Sequence, residues 1–186
     1  MLTRTILRIT AVCALSSTAM GGYCMAGMQG PEQPQEAPGR GRVPPSIATE
    51  HDKLHDALAR LTRAQGRTAI EARNVQQLLQ PHFAKEEQFA LPPLAALAEL
   101  ASGGRPANAA EIIWMSAFLQ GDMPAMLAEH RAIAQALDRL RAAGRKEGKK
   151  EAVAFAAHLK AHARQEEEIL YPTAILVGRY LKLQQQ

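Results

Sequence analysis

Apolar residues recur along this chain at helical spacing. Ile47, Leu54, Leu58 and Leu61 form one stripe, which predicts a helix over about 46–65. Gly66 breaks it. Ile70, Val75, Leu78 and Leu79 form a second stripe and predict a helix over about 68–91. Pro81 lies inside that helix and should kink or divide it, because proline removes a backbone donor. The run "LPPLAALAELASGG" continues as a short helical or irregular piece, and 108–119 predicts a short helix. "GDMP" then reads as a restart, with Asp122 as cap and Pro124 in the first turn of a third main helix reaching about 142. After the loop "AGRKEGKK", a fourth helix is expected over about 149–171, with a tail helix from Pro172 through Leu183. No strand pattern competes. Helices of about 20 residues are roughly 30 Å long. Short connections between them favour an all-α, up-down-up-down four-helix bundle.

Composition adds an N-terminal preface to that picture. Arg4 and Arg8 precede the apolar run "ITAVCALSSTAM", which is too short to span a bilayer comfortably, and small residues follow at Gly21 and Ala26. Residues 1–26 therefore read as a secretory signal peptide, the other reading being an uncleaved membrane anchor. The expected location is exported, in a bacterial periplasm or secreted. Residues 27–45 hold five prolines and four glycines and read as a linker, which leaves 46–183 as the folded domain. Cys13 and Cys24 are the only cysteines, so cleavage after Ala26 leaves a mature chain without thiol chemistry. The net charge of +4 is spread without a basic stripe or interleaved aromatics, which speaks against nucleic acid. A membrane partner follows only if the leader is retained.

The six histidines all fall in the predicted main helices, and their setting repeats. "HFAKEEQFALP" begins at His82 and "HARQEEEILYP" at His162. Upstream, "EHDKL" carries His51 and "EHRAI" carries His130, placed 31 and 32 residues before their partners. The domain thus reads as two copies of one helical hairpin. In each copy a lone histidine stands on the first helix and a His-x-x-x-Glu-Glu on the second. His82 with Glu86, and His162 with Glu166, share a helix face at i, i+4. Closing the bundle brings four imidazoles and two carboxylates to its axis. A single His-x-x-x-Glu is ordinarily a solvated surface pair; its repetition with the same upstream histidine and downstream proline argues for metal binding. Imidazole suits iron, zinc, copper and nickel, and carboxylates can bridge two cations.

At these motifs the sequence resembles the hemerythrin-like (HHE cation-binding) family, over about residues 46–172. That resemblance implies a hemerythrin-type bundle around non-heme iron, two irons with a bridging oxo or hydroxo group, and O2 or another small diatomic molecule as ligand. It implies His51, His82, Glu86, His130 and His162 as metal ligands, with a bridging glutamate after His162. The best-known members place that last carboxylate five residues after its histidine, which selects Glu167; the internal repeat selects Glu166, the preferred reading. They also carry two histidines on the third helix, where this chain has Met126 one turn before His130. His55, one turn after His51, is a candidate replacement, and His158 a lesser one. Tyr171 reads as packing or a cap, given its offset from His162.

Three functions follow from this reading. The first is an exported di-iron protein that binds O2 or a related ligand for sensing, storage or delivery. The second is a di-iron redox enzyme: an oxidase, a peroxidase or one handling nitric oxide. The third is a metal-handling or iron-sensing bundle. A binding protein is favoured over an enzyme, because the sequence assigns no proton donor, and no catalytic residue is named.

Overall fold

The computed structural model describes residues 43–185; the leader and nearly all of the linker, with the expectations attached to them, lie outside the described residues. Six α-helices are present among those described: α1 (Pro45–Thr62), α2 (Arg67–Lys85), α3 (Leu97–Ala101), α4 (Ala109–Lys146), α5 (Lys150–Gln165) and α6 (Tyr171–Leu183). A π turn, Glu86–Ala90, continues α2, and a second, Glu166–Leu170, joins α5 to α6. A 3-10 turn over Pro92–Ala96 leads into α3. The long rods pack in a ring, α1 on α2, α2 on α4, α4 on α5 and α5 on α1. That is the expected up-down-up-down bundle. No described helix is long and apolar enough to cross a membrane.

The expected break at "GDMP" does not occur. α4 runs unbroken through Gly121 and Pro124. A proline in a helix interior costs about 3 kcal/mol. What offsets it is phase: Ile112, Met115 and Leu119 before the proline and Met126, Ile133 and Leu137 after it are all buried on one continuous stripe. The first part of that stripe packs on α6, and the second on α2 and α5. Asp122 therefore does not cap a helix; its carboxylate meets Lys85 Nζ at 3.2 Å.

Both hairpin turns lie at one end of the bundle and are tied together. Glu147, after α4, accepts hydrogen bonds from the Arg67 and Thr68 amides at 2.6 and 3.1 Å and from Thr68 Oγ1 at 2.7 Å. It thereby caps α2, a helix that brings no side-chain cap of its own. Gly66 makes this approach possible twice over. Its φ is +86°, and a Cβ there would lie 2.6 Å from the Glu147 carboxylate.

The apolar core is divided along the bundle. One cluster, toward the capped turns, includes Leu54, Leu58, Val75, Leu79, Phe83, Leu137, Leu140 and Leu159. A second includes Leu91, Leu94, Leu119, Met126, Tyr171 and Ala174, and a third sits further along α4 and α6 around Met115 and Leu181. Phe83 of the first cluster follows His82 directly, and Tyr171 of the second stands five residues after Glu166, so the histidine motifs lie between two apolar layers.

Candidate metal centre

His51, His82, Glu86, His130, His162 and Glu166 are each no more than 4% exposed. Burying six ionisable groups is costly unless they are paired or hold a cation. Here their inward atoms converge. His82, Glu86, His130 and Glu166 offer ligand atoms that all lie within 4.8 Å of one another, and so do His51, His162 and Glu166. Glu86 Oε1 is 3.3 Å from His82 Nε2 while its Oε2 is 3.8 Å from His51 Nε2. Glu166 Oε2 is 3.4 Å from His130 Nε2, and its Oε1 lies 2.7 Å from His162 and 3.7 Å from His51. Each carboxylate thus reaches across from one histidine pair to the other.

Five of these buried atoms have no hydrogen-bond partner: Nε2 of His51, His82 and His162, Oε2 of Glu86 and Oε1 of Glu166. Buried nitrogen and oxygen atoms this close together form groups that could hold a metal ion. The donor set, nitrogen and oxygen with two carboxylates placed between the histidine pairs, fits transition-metal cations. Each pair of histidines draws one member from each hairpin, so neither hairpin holds a complete position alone.

The other ring nitrogens are also accounted for. His51 Nδ1 meets Glu87 at 3.4 Å, His82 Nδ1 meets Glu129 at 2.8 Å, His130 Nδ1 meets Glu167 at 2.8 Å and His162 Nδ1 meets Glu50 at 3.2 Å. A carboxylate can only accept, so the hydrogen of a neutral imidazole sits on Nδ1 and the Nε2 lone pair points inward. Every one of these glutamates is the neighbour of a cluster residue in the opposite motif: Glu50 and Glu129 precede a lone histidine, and Glu87 and Glu167 follow an inner glutamate. Sequence reasoning missed Glu50, Glu87 and Glu129, although the repeat that exposed the histidines contains them. Lys85 Nζ holds the far side of Glu129 at 2.6 Å.

The electrostatics match. Burial opposes a charge on His82, but the Glu86 carboxylate and then Glu129 outweigh it and lift the imidazole to about 9. Burial likewise opposes charge on His162, and Glu166, Glu86 and Glu50 lift it to about 9. His51 is raised in the same way, against burial, mainly by Glu166. Burial pushes Glu166 up, yet the imidazoles of His130, His162 and His51 hold it well below the usual carboxylate range. Without a metal the carboxylates favour the protonated forms of His51, His82 and His162; a cation would take the protons' place.

The remaining candidates sit apart from the cluster. Glu167 lies against His130 Nδ1, while Glu166 takes the inner place. His55 is half-buried, its ring edge-on to Phe83 at 5.0 Å, and it is in neither ligand group. The exposed His158 meets Glu50 at 3.4 Å. Phe83 stacks on His51 at 4.1 Å and 12°, closing that side. Beside His130 a surface cleft of about 360 Å³ opens between α4 and α5, rimmed by Arg131, Lys160 and Arg164, which brings solvent to the edge of the cluster.

Tyr171 does reach the cluster. Its hydroxyl donates to Glu86 Oε1 and lies 3.3 Å from His130 Nε2. In an unbroken α-helix nine steps from His162 would leave Tyr171 about 180° away. The π turn over Glu166–Leu170 absorbs one residue, so the step behaves as about eight, roughly 80° off.

The family model for the hemerythrin HHE cation binding domain matches residues 45–174. No curated protein and no solved structure matches the chain.

Proposed function

The chain belongs to the hemerythrin HHE cation-binding family, a family of metal-binding domains, and from that premise we propose an exported protein that holds two non-heme irons and binds O2 or a related diatomic molecule. The observation that carries this reading is the set of five buried, unpartnered donor atoms that α1, α2 and α5, with the turns continuing α2 and α5, bring together beside His130 of α4. His82 and His130 would hold one iron and His51 and His162 the other, with Glu86 and Glu166 shared between them. Bound ferrous iron supplies the electrons and the open coordination position that O2 requires.

The chain's own residues do the rest. Glu50, Glu87, Glu129 and Glu167 fix the imidazole tautomer and aim Nε2 inward. Phe83 on one side and the Leu91, Leu119 and Met126 layer on the other flank the cluster with apolar side chains.

The test is anaerobic loading of the full chain with ferrous iron, metal analysis, and optical spectra before and after O2. Two irons per chain and an O2-dependent spectrum that reverses on degassing are expected. Irreversible oxidation in one turnover would replace this reading with the redox enzyme. Retention of metal without any response to O2 would leave metal handling. Export follows from the leader and is tested by fractionating cells that express the full chain.

A further inference from the structure

The two copies of the motif differ at one chemically decisive place. Nine residues after His82 stands Leu91; nine residues after His162 stands Tyr171. Both side chains are completely buried and belong to the same apolar cluster. Each follows a π turn, with its amide bonded back to Glu86 or Glu166 five residues earlier. The backbone device is therefore duplicated, and only the side chain it delivers has changed.

What the Tyr171 hydroxyl faces is ligand atoms. It donates to Glu86 Oε1 and stands 3.3 Å from His130 Nε2. That is the spacing of the other donors in the same group: His82 Nε2 to Glu86 Oε1 is 3.3 Å, and His130 Nε2 to Glu166 Oε2 is 3.4 Å. A metal about 2 Å from each ligand sets neighbouring donor atoms about 3 Å apart. The phenol oxygen thus lies beside the ligand atoms of that group, at ligand spacing from His130 and in hydrogen-bond contact with Glu86.

We propose that Tyr171 is a protein ligand to the metal shared by His82 and His130, and that the two metal positions are for this reason unequal. The proposal rests on the metal-binding reading above. A phenolate is an anionic oxygen donor suited to ferric iron. On ligation the O–H bond breaks, the oxygen gives its pair to the metal and the proton passes to solvent. Leu91 has no such group, so the position of His51 and His162 has imidazoles and shared carboxylates alone.

Resonance Raman and visible spectroscopy of the full chain, loaded with ferrous iron and then oxidised, decide the matter. A phenolate-to-iron(III) charge-transfer band is expected, with tyrosine ring vibrations enhanced on excitation into it. Tyr171→Phe should abolish the band per bound iron, and Tyr180→Phe, at an exposed tyrosine, should keep it. Ring-deuterated tyrosine in the unmutated chain should shift the enhanced vibrations, which settles the point even if Tyr171→Phe folds poorly. A chain with two bound irons and no tyrosinate vibrations overturns the proposal, as does a band that survives Tyr171→Phe. Both of those outcomes leave metal binding standing. A chain that takes up no iron overturns the metal-binding reading and this proposal together.

Discussion

Replacing Glu129 by glutamine removes a charge from behind a candidate ligand without removing an oxygen. Its carboxylate is 2.8 Å from His82 Nδ1 and 2.6 Å from Lys85 Nζ. Glutamine can still accept one hydrogen bond, so the imidazole keeps its tautomer, but it no longer strengthens the ring as a donor. Loss of an outer partner of a metal-ligating histidine costs about 10–100-fold in affinity, or about 1.4–2.7 kcal/mol. The four outer carboxylates are 22–39% exposed, so solvent screens them and the lower end applies. Geometry then orders the series. Glu129→Gln and Glu167→Gln break contacts of 2.8 Å and should each weaken metal binding about tenfold. Glu50→Gln and Glu87→Gln touch contacts of 3.2 and 3.4 Å and should cost less. The assay is anaerobic competition for ferrous iron against a chromogenic chelator, with urea unfolding of each metal-free variant as control. Four variants with unaltered affinity would refute the reasoning, and so would a larger loss at Glu50 or Glu87 than at Glu129 or Glu167.

Metal itself should stabilise the fold: ferrous iron at 100 times its dissociation constant adds about 2.7 kcal/mol per site, raising Tm by several degrees in calorimetry, and a chelator should reverse the gain. Gly178→Ala should destabilise by about 1–3 kcal/mol in urea unfolding, because a Cβ there would lie 2.3 Å from the Ser116 Cβ where α4 and α6 meet. Gly121→Ala, at an exposed helical site with nothing within 4 Å, should instead stabilise by about 0.5–1 kcal/mol. The hydrogen bonds from Thr68 and Arg67 hold the Glu147 carboxyl below its ordinary range. Its contribution is therefore complete above the unfolded-state value and is lost as pH falls through the lower, folded one. Tm should accordingly drop less between pH 6 and pH 3 in Glu147→Gln than in the unmutated chain; an equal drop would remove Glu147 from the capping role.

Much of the bundle was legible because its stripes are local. Leu54, Leu58 and Leu61 repeat at helical spacing and are all buried on α1. Gly66 ended that helix where a positive φ was needed. The misreading at Gly121–Pro124 shows where local rules lose. Turn chemistry is scored over four residues, whereas the burial that keeps α4 unbroken is collected from Ile112 to Leu140 against three different helices. Nothing in "GDMP" itself reports that sum.

The cluster residues were legible for a different reason: the chain writes them twice. Repetition turned four weak histidine signals into one strong signal. It failed where meaning depended on a helical phase that changes. Glu87 and Glu167 stand beside inner glutamates, and Glu50 and Glu129 beside lone histidines. In an ideal helix such neighbours point about 100° away and read as solvent-facing charge. In the bundle that angle carries each of them to the back of an imidazole on an adjacent rod. Tyr171 was hidden by the opposite effect, a π turn that shifts every later residue by one. Both effects have the same consequence. The hairpins exchange inner ligands and two of the four outer carboxylates, Glu50 going to His162 and Glu129 to His82, while Glu87 and Glu167 stay with His51 and His130 of their own hairpins. A half-chain therefore lacks a complete ligand set and also lacks the carboxylate that aims one of its two cluster histidines. Metal affinity in this protein is consequently a property of the closed bundle, and anything that loosens the packing between the two hairpins should weaken it before it unfolds either one.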